Sequence, residues 1–166
     1  MQFKVGDHVM HVSHGSGQIV AIEEKRILGN ESRLFYVVVI NQSTVWVPVD
    51  SDSASSLRLL VSNTALTQCR VLLKSRPIRL NADRRQRSLE LTNRLRRGSF
   101  EISCEVVRDL TAHGWPKPLS ESDSSALRKV QEAVSREWAT AAGVPLSEAT
   151  REIMALLQEG RRTHSA

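Results

Sequence analysis

The 166-residue sequence predicts an α+β protein in which a small N-terminal β-barrel precedes a compact all-α domain of about five helices. As far as residue 60, apolar residues form short runs or alternate with polar ones, as in strands. From residue 63 onward they recur every three or four positions, as in helices. Residues 50–56 between the two regions are Ser, Asp and Ala without an apolar period, which indicates a linker. We therefore expect two domains, residues 1–60 and residues 63–160.

Turn residues divide the N-terminal part into strands. Gly6 and Asp7 form a turn signal inside a short extended start, and Gly15 and Gly17 supply permissive backbone just before the next strand. We expect strands in the extended start at 3–12, around 20–23, at 34–40, at 44–49 and in a short segment at 57–59. The third strand is a nearly continuous apolar run, so either both of its faces are covered or it lies in the middle of the barrel. Pro48 marks an edge or a strand end.

Start and stop signals predict the helices. The expected first residues or caps are Asn63 or Thr64, Asn81 or Asp83, Ser99, Ser120 with Asp123 at capping-box spacing, and Ser147. The expected ends are Pro77, Arg97 followed by Gly98, the break at 114–118, Gly143 and Gly160. The faces predicted to be buried include Leu91, Cys104, Val134, Trp138 and Ile153. We expect residues 161–166 to fray.

Positive charge is concentrated in the middle of the chain. Residues 67–113 contain eleven Lys and Arg but five Asp and Glu, a net charge of +6, whereas residues 1–66 are at −1 and residues 114–166 are neutral. Between Arg70 and Arg97 the only acidic residues are Asp83 and Glu90. A localised basic surface favours a polyanion partner such as nucleic acid. The alternative is an arginine-rich helix that faces only solvent.

The sequence carries no recognisable catalytic or metal-binding motif. His8, His11 and His14 are spaced by three, but in extended backbone such residues point to opposite faces. Nucleotide-binding glycine motifs and the GxSxG elbow are absent. Cys69 and Cys104 fit neither a disulfide framework nor a CxxC site, so we expect buried free thiols in a reducing cytosol. We therefore predict a cytoplasmic protein that is not an enzyme and that needs no cofactor, metal or membrane.

Two stretches of sequence resemble a known family. The order FKVGDxV, HGxGxIxxIExKxIxG and VPV is similar to the RNA-polymerase-interacting domain of the CarD/CdnL family of bacterial transcription regulators. The matching residues are Phe3, Lys4, Val5, Gly6, Asp7, Val9, His14, Gly15, Gly17, Ile19, Ile22, Glu23, Lys25, Ile27, Gly29, Val47 and Pro48. Residues 105–110 match the family's EVVRDL in the helical half. The resemblance implies a Tudor/SH3-like barrel joined to a compact helical domain.

The resemblance also implies a polymerase-docking surface. In the family, the barrel docks on the RNA polymerase β subunit through an exposed strand surface that includes a basic residue, an isoleucine two positions later and an arginine before the VP pair. These positions are Lys25, Ile27 and Trp46 in this chain, and the tryptophan departs from the family pattern. Strand alternation would then direct Val45 and Val47 into the barrel. The alternative is that Trp46 is structural and packs on the linker or on the helical domain.

A second departure concerns DNA. In the family, a tryptophan near the start of the second helix wedges into the minor groove at the upstream edge of the transcription bubble. Residues 81–87 occupy that place here, and the tryptophan position falls on Ala82 or Arg84, so we expect no wedge from this helix. What remains is contact with the phosphate backbone and the minor groove of promoter DNA by Arg84, Arg85, Arg87 and Arg94.

We therefore expect a monomeric transcription regulator that associates with the nucleoid through RNA polymerase. It would bind the polymerase β subunit and promoter DNA together and modulate the stability of the open complex. One alternative is a protein-interaction module that binds polymerase or another acidic protein without touching DNA. Another is an RNA-binding protein of the ribosome, although the barrel lacks the clustered basic and aromatic surface that this function needs.

Overall fold

The computed structural model describes residues 2–50, 56–96 and 98–165, and the chain forms two compact units, residues 1–60 and residues 61–166. The described part of the first unit is an antiparallel sheet, and that of the second is helical, which confirms the predicted α+β class. Most of the predicted linker, residues 51–55, lies outside the described residues, as does Arg97.

The strands of the first unit are β1 (His8–His11), β2 (Gly15–Arg26), β3 (Ser32–Ile40), β4 (Ser43–Pro48) and β5 (Leu57–Leu59). Their order in the sheet is β4-β3-β2-β1-β5. Among the described residues, no backbone hydrogen bonds pair β4 with β5. The sheet is therefore not closed into the barrel that the sequence predicts. The apolar strand β3 lies inside the sheet, and Pro48 lies in an edge strand, as their sequences predict.

One face of the sheet buries an apolar core. Its members are Phe3, Val9, Ile19, Tyr36, Val38, Ile40, Val47 and Leu57. Phe3 meets the Tyr36 ring edge to face, with 5.5 Å between the ring centroids, and its backbone N–H donates to the Tyr36 hydroxyl at 3.3 Å. At Gly17 a Cβ would lie 2.5 Å from Ile40 Cγ1, so this glycine is required by the close approach of β3.

The second unit contains α1 (Asn63–Lys74), α2 (Arg84–Arg96), α3 (Phe100–His113), α4 (Glu121–Ala142) and α5 (Leu146–His164). The predicted caps Asp83, Ser99 and Ser120 each accept a hydrogen bond from a backbone N–H three residues later. The expected left-handed residues at helix ends are present, since Gly98 has a φ of 73° and Gly143 a φ of 67°.

The helices pack around one main apolar cluster. Its buried members are Val61, Leu66, Cys69, Leu73, Phe100, Cys104, Val107, Val134, Trp138, Ala139, Ala149, Ile153 and Leu157. Cys69 and Cys104 are free and fully buried, as predicted. The neighbouring Cys69 thiol, together with burial, raises the pKa of Cys104, so its thiol stays protonated at neutral pH.

Two predictions about the last helix are wrong. α5 begins at Leu146 with Pro145 at the N-cap, so Ser147 lies inside its first turn and does not cap it. The helix also continues through Gly160 to His164, and Gly160 is buried against the end of α1. A ring nitrogen of His164 lies 3.1 Å from the Lys74 carbonyl oxygen, which holds a segment that was expected to fray.

Candidate functional site

The outer face of the sheet, opposite its core, presents two of the three predicted docking residues, Lys25 and Trp46. Lys25 lies in β2, Ile27 follows it two residues later, and Trp46 lies in β4 opposite Val37. The Trp46 side chain is 43% exposed and Ile27 is 39% exposed. Val47 is buried in the core of the sheet, as strand alternation predicts. Lys25 and Trp46 therefore share a solvent-facing surface, and Ile27 is exposed just beyond the end of β2.

Lys25 and Trp46 contact each other directly across β3. The Lys25 Nζ lies 3.6 Å from the centroid of the Trp46 ring, which is a cation–π contact. Their partners on β3 are Arg33 for Lys25 and Val37 for Trp46, which lie four residues apart on one face of that strand, so the two side chains meet diagonally across it. An exposed tryptophan ring that is in contact with a cation is the kind of group that anchors protein interfaces.

The second candidate surface is a set of arginines in and before α2. Those that are exposed are Arg76, Arg79, Arg84, Arg85 and Arg96. No carboxylate of the described residues lies within ion-pair distance of them. Arg84 and Arg85 open α2, where their guanidinium groups are free to meet a phosphate.

Arg87 does not belong to this exposed set. It is 5% exposed, and its Nη2 lies 2.7 Å from Asp123 Oδ2 while its Nε lies 3.3 Å from Oδ1. Its Nη1 donates to the carbonyl oxygens of Asn81 at 2.9 Å and Ala82 at 3.2 Å. The guanidinium thus ties the segment before α2 to the first turn of α4. The predicted DNA contact by Arg87 is not supported, because its donors are already used inside the protein.

Asp123 is the partner that holds Arg87. The predicted capping box is present only in part, since Ser120 Oγ accepts from the Asp123 backbone N–H at 3.2 Å while the Asp123 carboxylate is directed to Arg87. Burial alone would raise the pKa of Asp123, but the hydrogen bonds that Arg87 donates and the charge of Arg87 bring it below its ordinary value. The carboxylate therefore stays ionised at neutral pH.

Arg94 is compensated as well. Its Nη2 lies 3.0 Å from Asp109 Oδ2 and 3.4 Å from Glu105 Oε2, and the side chain is 26% exposed. Asp109 also accepts hydrogen bonds from the Arg108 Nε and from the backbone N–H of Ile78. The four predicted DNA contacts are thus divided: Arg84 and Arg85 are exposed, Arg94 is ion-paired at the surface, and Arg87 is internal.

The histidines of the first unit do not assemble a metal site. The rings of His11 and His14 lie 4.6 Å apart, and burial, with a smaller effect from His14, lowers the pKa of His11. Within residues 2–50, 56–96 and 98–165 there is no group of three or more His, Cys, Asp or Glu that could hold a metal ion. None of the helices described is long and apolar enough to cross a membrane.

Comparison with known proteins matches both units. The family model described as "CarD-like/TRCF RID domain" matches residues 3–61, and "CarD, C-terminal domain" matches residues 69–154. The first match contains the outer face with Lys25 and Trp46, and the second contains the exposed arginines. "Putative transcription factor YdeB" of Bacillus subtilis (strain 168) is 28% identical over 144 residues, which is 86% of this chain and 94% of that protein.

Proposed function

Because this chain belongs to the CarD-like family of transcription factors, we propose that it docks on the β subunit of RNA polymerase and contacts promoter DNA near the upstream edge of the bubble. The observation that carries the proposal is the presence of both family domains, in order, in one chain. A regulator that holds polymerase and open DNA together stabilises the open complex relative to the closed one. Joining the two contacts in one chain strengthens both through effective concentration.

The outer face of the sheet is the proposed polymerase-docking surface. Trp46 supplies a large exposed apolar group, and the Lys25 Nζ lies 3.6 Å from the centroid of its ring. Tryptophan is enriched among the few residues that supply most of the binding energy in protein interfaces. Ile27, which is exposed just beyond the end of β2, adds to the proposed apolar contact. We expect polymerase binding to depend on this surface rather than on the helices.

Two of the exposed arginines, Arg84 and Arg85 at the start of α2, form the centre of the proposed DNA contact. Arg84 and Arg85 are free of internal ion pairs with described residues, and Arg94 could contribute only by leaving Glu105 and Asp109. Arginine contacts with phosphates are independent of sequence and release counterions, so the binding constant falls steeply with salt. We therefore propose backbone and minor-groove contact with weak sequence preference, from Arg84 and Arg85 first.

A salt titration of binding to forked promoter DNA tests the DNA contact. Reversing two charges in Arg84→Glu/Arg85→Glu should weaken binding. The slope of log K against log salt should become shallower by the amount expected for the loss of about two phosphate contacts. The matched control is Arg161→Glu/Arg162→Glu, which reverses two exposed neighbouring arginines at the end of α5. Equal loss in both variants would indicate only a response to net charge.

The wild-type protein used in the DNA titration also tests the alternative that the chain is a protein-interaction module. If that alternative holds, the protein is retained by immobilised polymerase but does not bind forked DNA even at low salt. Co-purification with the β subunit, lost on substitution of Trp46, supports the proposed docking surface. Co-sedimentation with ribosomes instead of polymerase would contradict it.

A further inference from the structure

A cleft of about 690 Å³ lies within the helical unit. It is bounded by the segment at residues 77–82, which leads into α2, and by the loop that joins α3 to α4. The residues that define its character are Ile78, Arg79, Ala82, Trp115, Lys117 and Leu119. Its volume lies within the range of pockets that bind small organic groups. The proposed DNA contact through Arg84 and Arg85 does not use this cleft.

Trp115 gives the cleft an aromatic wall. The residue is half-buried, and its backbone N–H donates to the Ala112 carbonyl oxygen at 3.1 Å, which continues the turn at the end of α3. Pro116 and Pro118 follow it and restrict the backbone of the loop. The backbone that carries the indole is therefore restricted before any ligand binds. Ala82, on the segment that leads into α2, also lines the cleft and has a small side chain.

The accessible charge of the cleft is positive. Arg79 and Lys117 are exposed, and no carboxylate of the described residues lies within ion-pair distance of either. The two acidic residues that line the cleft are already bound, Asp123 by Arg87 and Asp109 by Arg94 and Arg108. Their negative charges are therefore neutralised, and an anionic ligand meets two free cations beside an aromatic ring.

We propose that this cleft binds an unpaired nucleotide of a nucleic-acid strand, with the base stacked on Trp115 and its phosphates near Arg79 and Lys117. Every base has a face that can stack on an indole, and a cationic groove beside an aromatic ring is the usual means of holding single strands. In paired DNA the base faces are covered by neighbouring bases, so the cleft selects opened DNA. The inference rests on the proposed function, because opened promoter DNA is the strand that it would take.

The test compares the affinity of the purified protein for a forked duplex with its affinity for the fully paired duplex of the same sequence. Trp115→Ala should lower affinity for the fork by about five- to hundredfold, the effect of losing one stacked base, and should leave affinity for the paired duplex unchanged. Trp115→Phe keeps an aromatic face and should recover most of the preference for the fork. Met154→Ala, which removes an exposed apolar side chain of α5 outside the cleft, is the matched control and should behave as wild type.

Three outcomes separate the inference from the proposed function. Loss of fork preference in Trp115→Ala, with partial recovery in Trp115→Phe and a retained thermal midpoint, supports the cleft as the nucleotide site. Unchanged fork preference in a folded Trp115→Ala protein overturns the cleft but leaves the DNA contact of Arg84 and Arg85 intact. Failure of the wild type to bind either DNA at low salt overturns both. If Trp115→Ala does not fold, Arg79→Ala/Lys117→Ala replaces it and must lower fork affinity more than duplex affinity.

Discussion

Arg87 and Asp123 form a buried ion pair between residues that are 36 positions apart in the sequence. The Arg87 Nη2 lies 2.7 Å from Asp123 Oδ2, and the side chains are 6% and 8% exposed. The pair joins the start of α2 to the first turn of α4. Removing charges from water is costly, so such a pair contributes little unless both partners are present and fully hydrogen-bonded.

Arg87→Ala should destabilise the helical unit strongly. The substitution leaves the Asp123 carboxylate buried without its partner, and breaking a buried pair in this way costs about 3–5 kcal/mol. Urea unfolding of the helical signal measures the loss. Arg84→Ala, three residues away on the exposed surface, is the control and should change the free energy of unfolding by less than about 0.5 kcal/mol. A comparable, small effect for both variants would show that the pair is not formed in solution.

The stability that Asp123 contributes should depend on pH. Its pKa in the folded protein is below the ordinary value of 3.8, so the contribution is present above that value and is lost as the pH falls through the folded pKa. The free energy of unfolding of the wild type minus that of Asp123→Asn should therefore be positive and constant from pH 7 to 5. It should shrink below about pH 4. A difference that grew on acidification would contradict the lowered pKa.

Trp46→Ala should weaken retention by RNA polymerase without destabilising the sheet. The ring is 43% exposed on the outer face, so its loss removes an interface anchor, worth about 2 kcal/mol or more, but little core packing. Val12→Ala is the control, because Val12 is 79% exposed in the turn between β1 and β2. Pull-down with immobilised polymerase and a thermal melt are measured together. A large fall in the melting temperature would instead identify Trp46 as structural.

Local signals in the sequence were sufficient for most of the helical unit. The side chains of Asp83, Ser99 and Ser120 each accept a hydrogen bond from a backbone N–H three residues later. Gly98 and Gly143 each adopt a positive φ at a helix end. These interactions involve residues that are close in the sequence, so they can be predicted before the fold is known. The period of the apolar residues likewise identified the buried faces of α3 and α4.

Long-range pairing could not be predicted in this way. Arg87 has the same local context as Arg84 and Arg85, and only the position of Asp123 in the fold makes it internal. The division of the basic segment into free, paired and buried arginines therefore required the structure. The contact of Lys25 with Trp46 could be predicted only in part. Strand alternation places both residues on one face, but only the pairing of β2 and β4 with β3 shows that they meet.

Gly160 gives a prediction that opposes ordinary helix propensity. In an exposed helix interior, replacing glycine by alanine stabilises by about 1 kcal/mol. Here an added Cβ would lie 3.2 Å from the Lys74 carbonyl oxygen and 3.3 Å from the Leu73 carbonyl oxygen and Lys74 Cα. All three atoms belong to the backbone at the end of α1, so none can move aside as a flexible side chain would.

Gly160→Ala should therefore lower the free energy of unfolding, by about 1–3 kcal/mol if α5 must shift to relieve the overlap. Ala155→Gly, at an exposed position of the same helix, measures the ordinary propensity and should cost about 1 kcal/mol. Chemical unfolding of both variants gives the comparison. If Gly160→Ala were more stable than wild type, the close packing of α5 on the end of α1 would be wrong, and Gly160 would be an ordinary helical glycine.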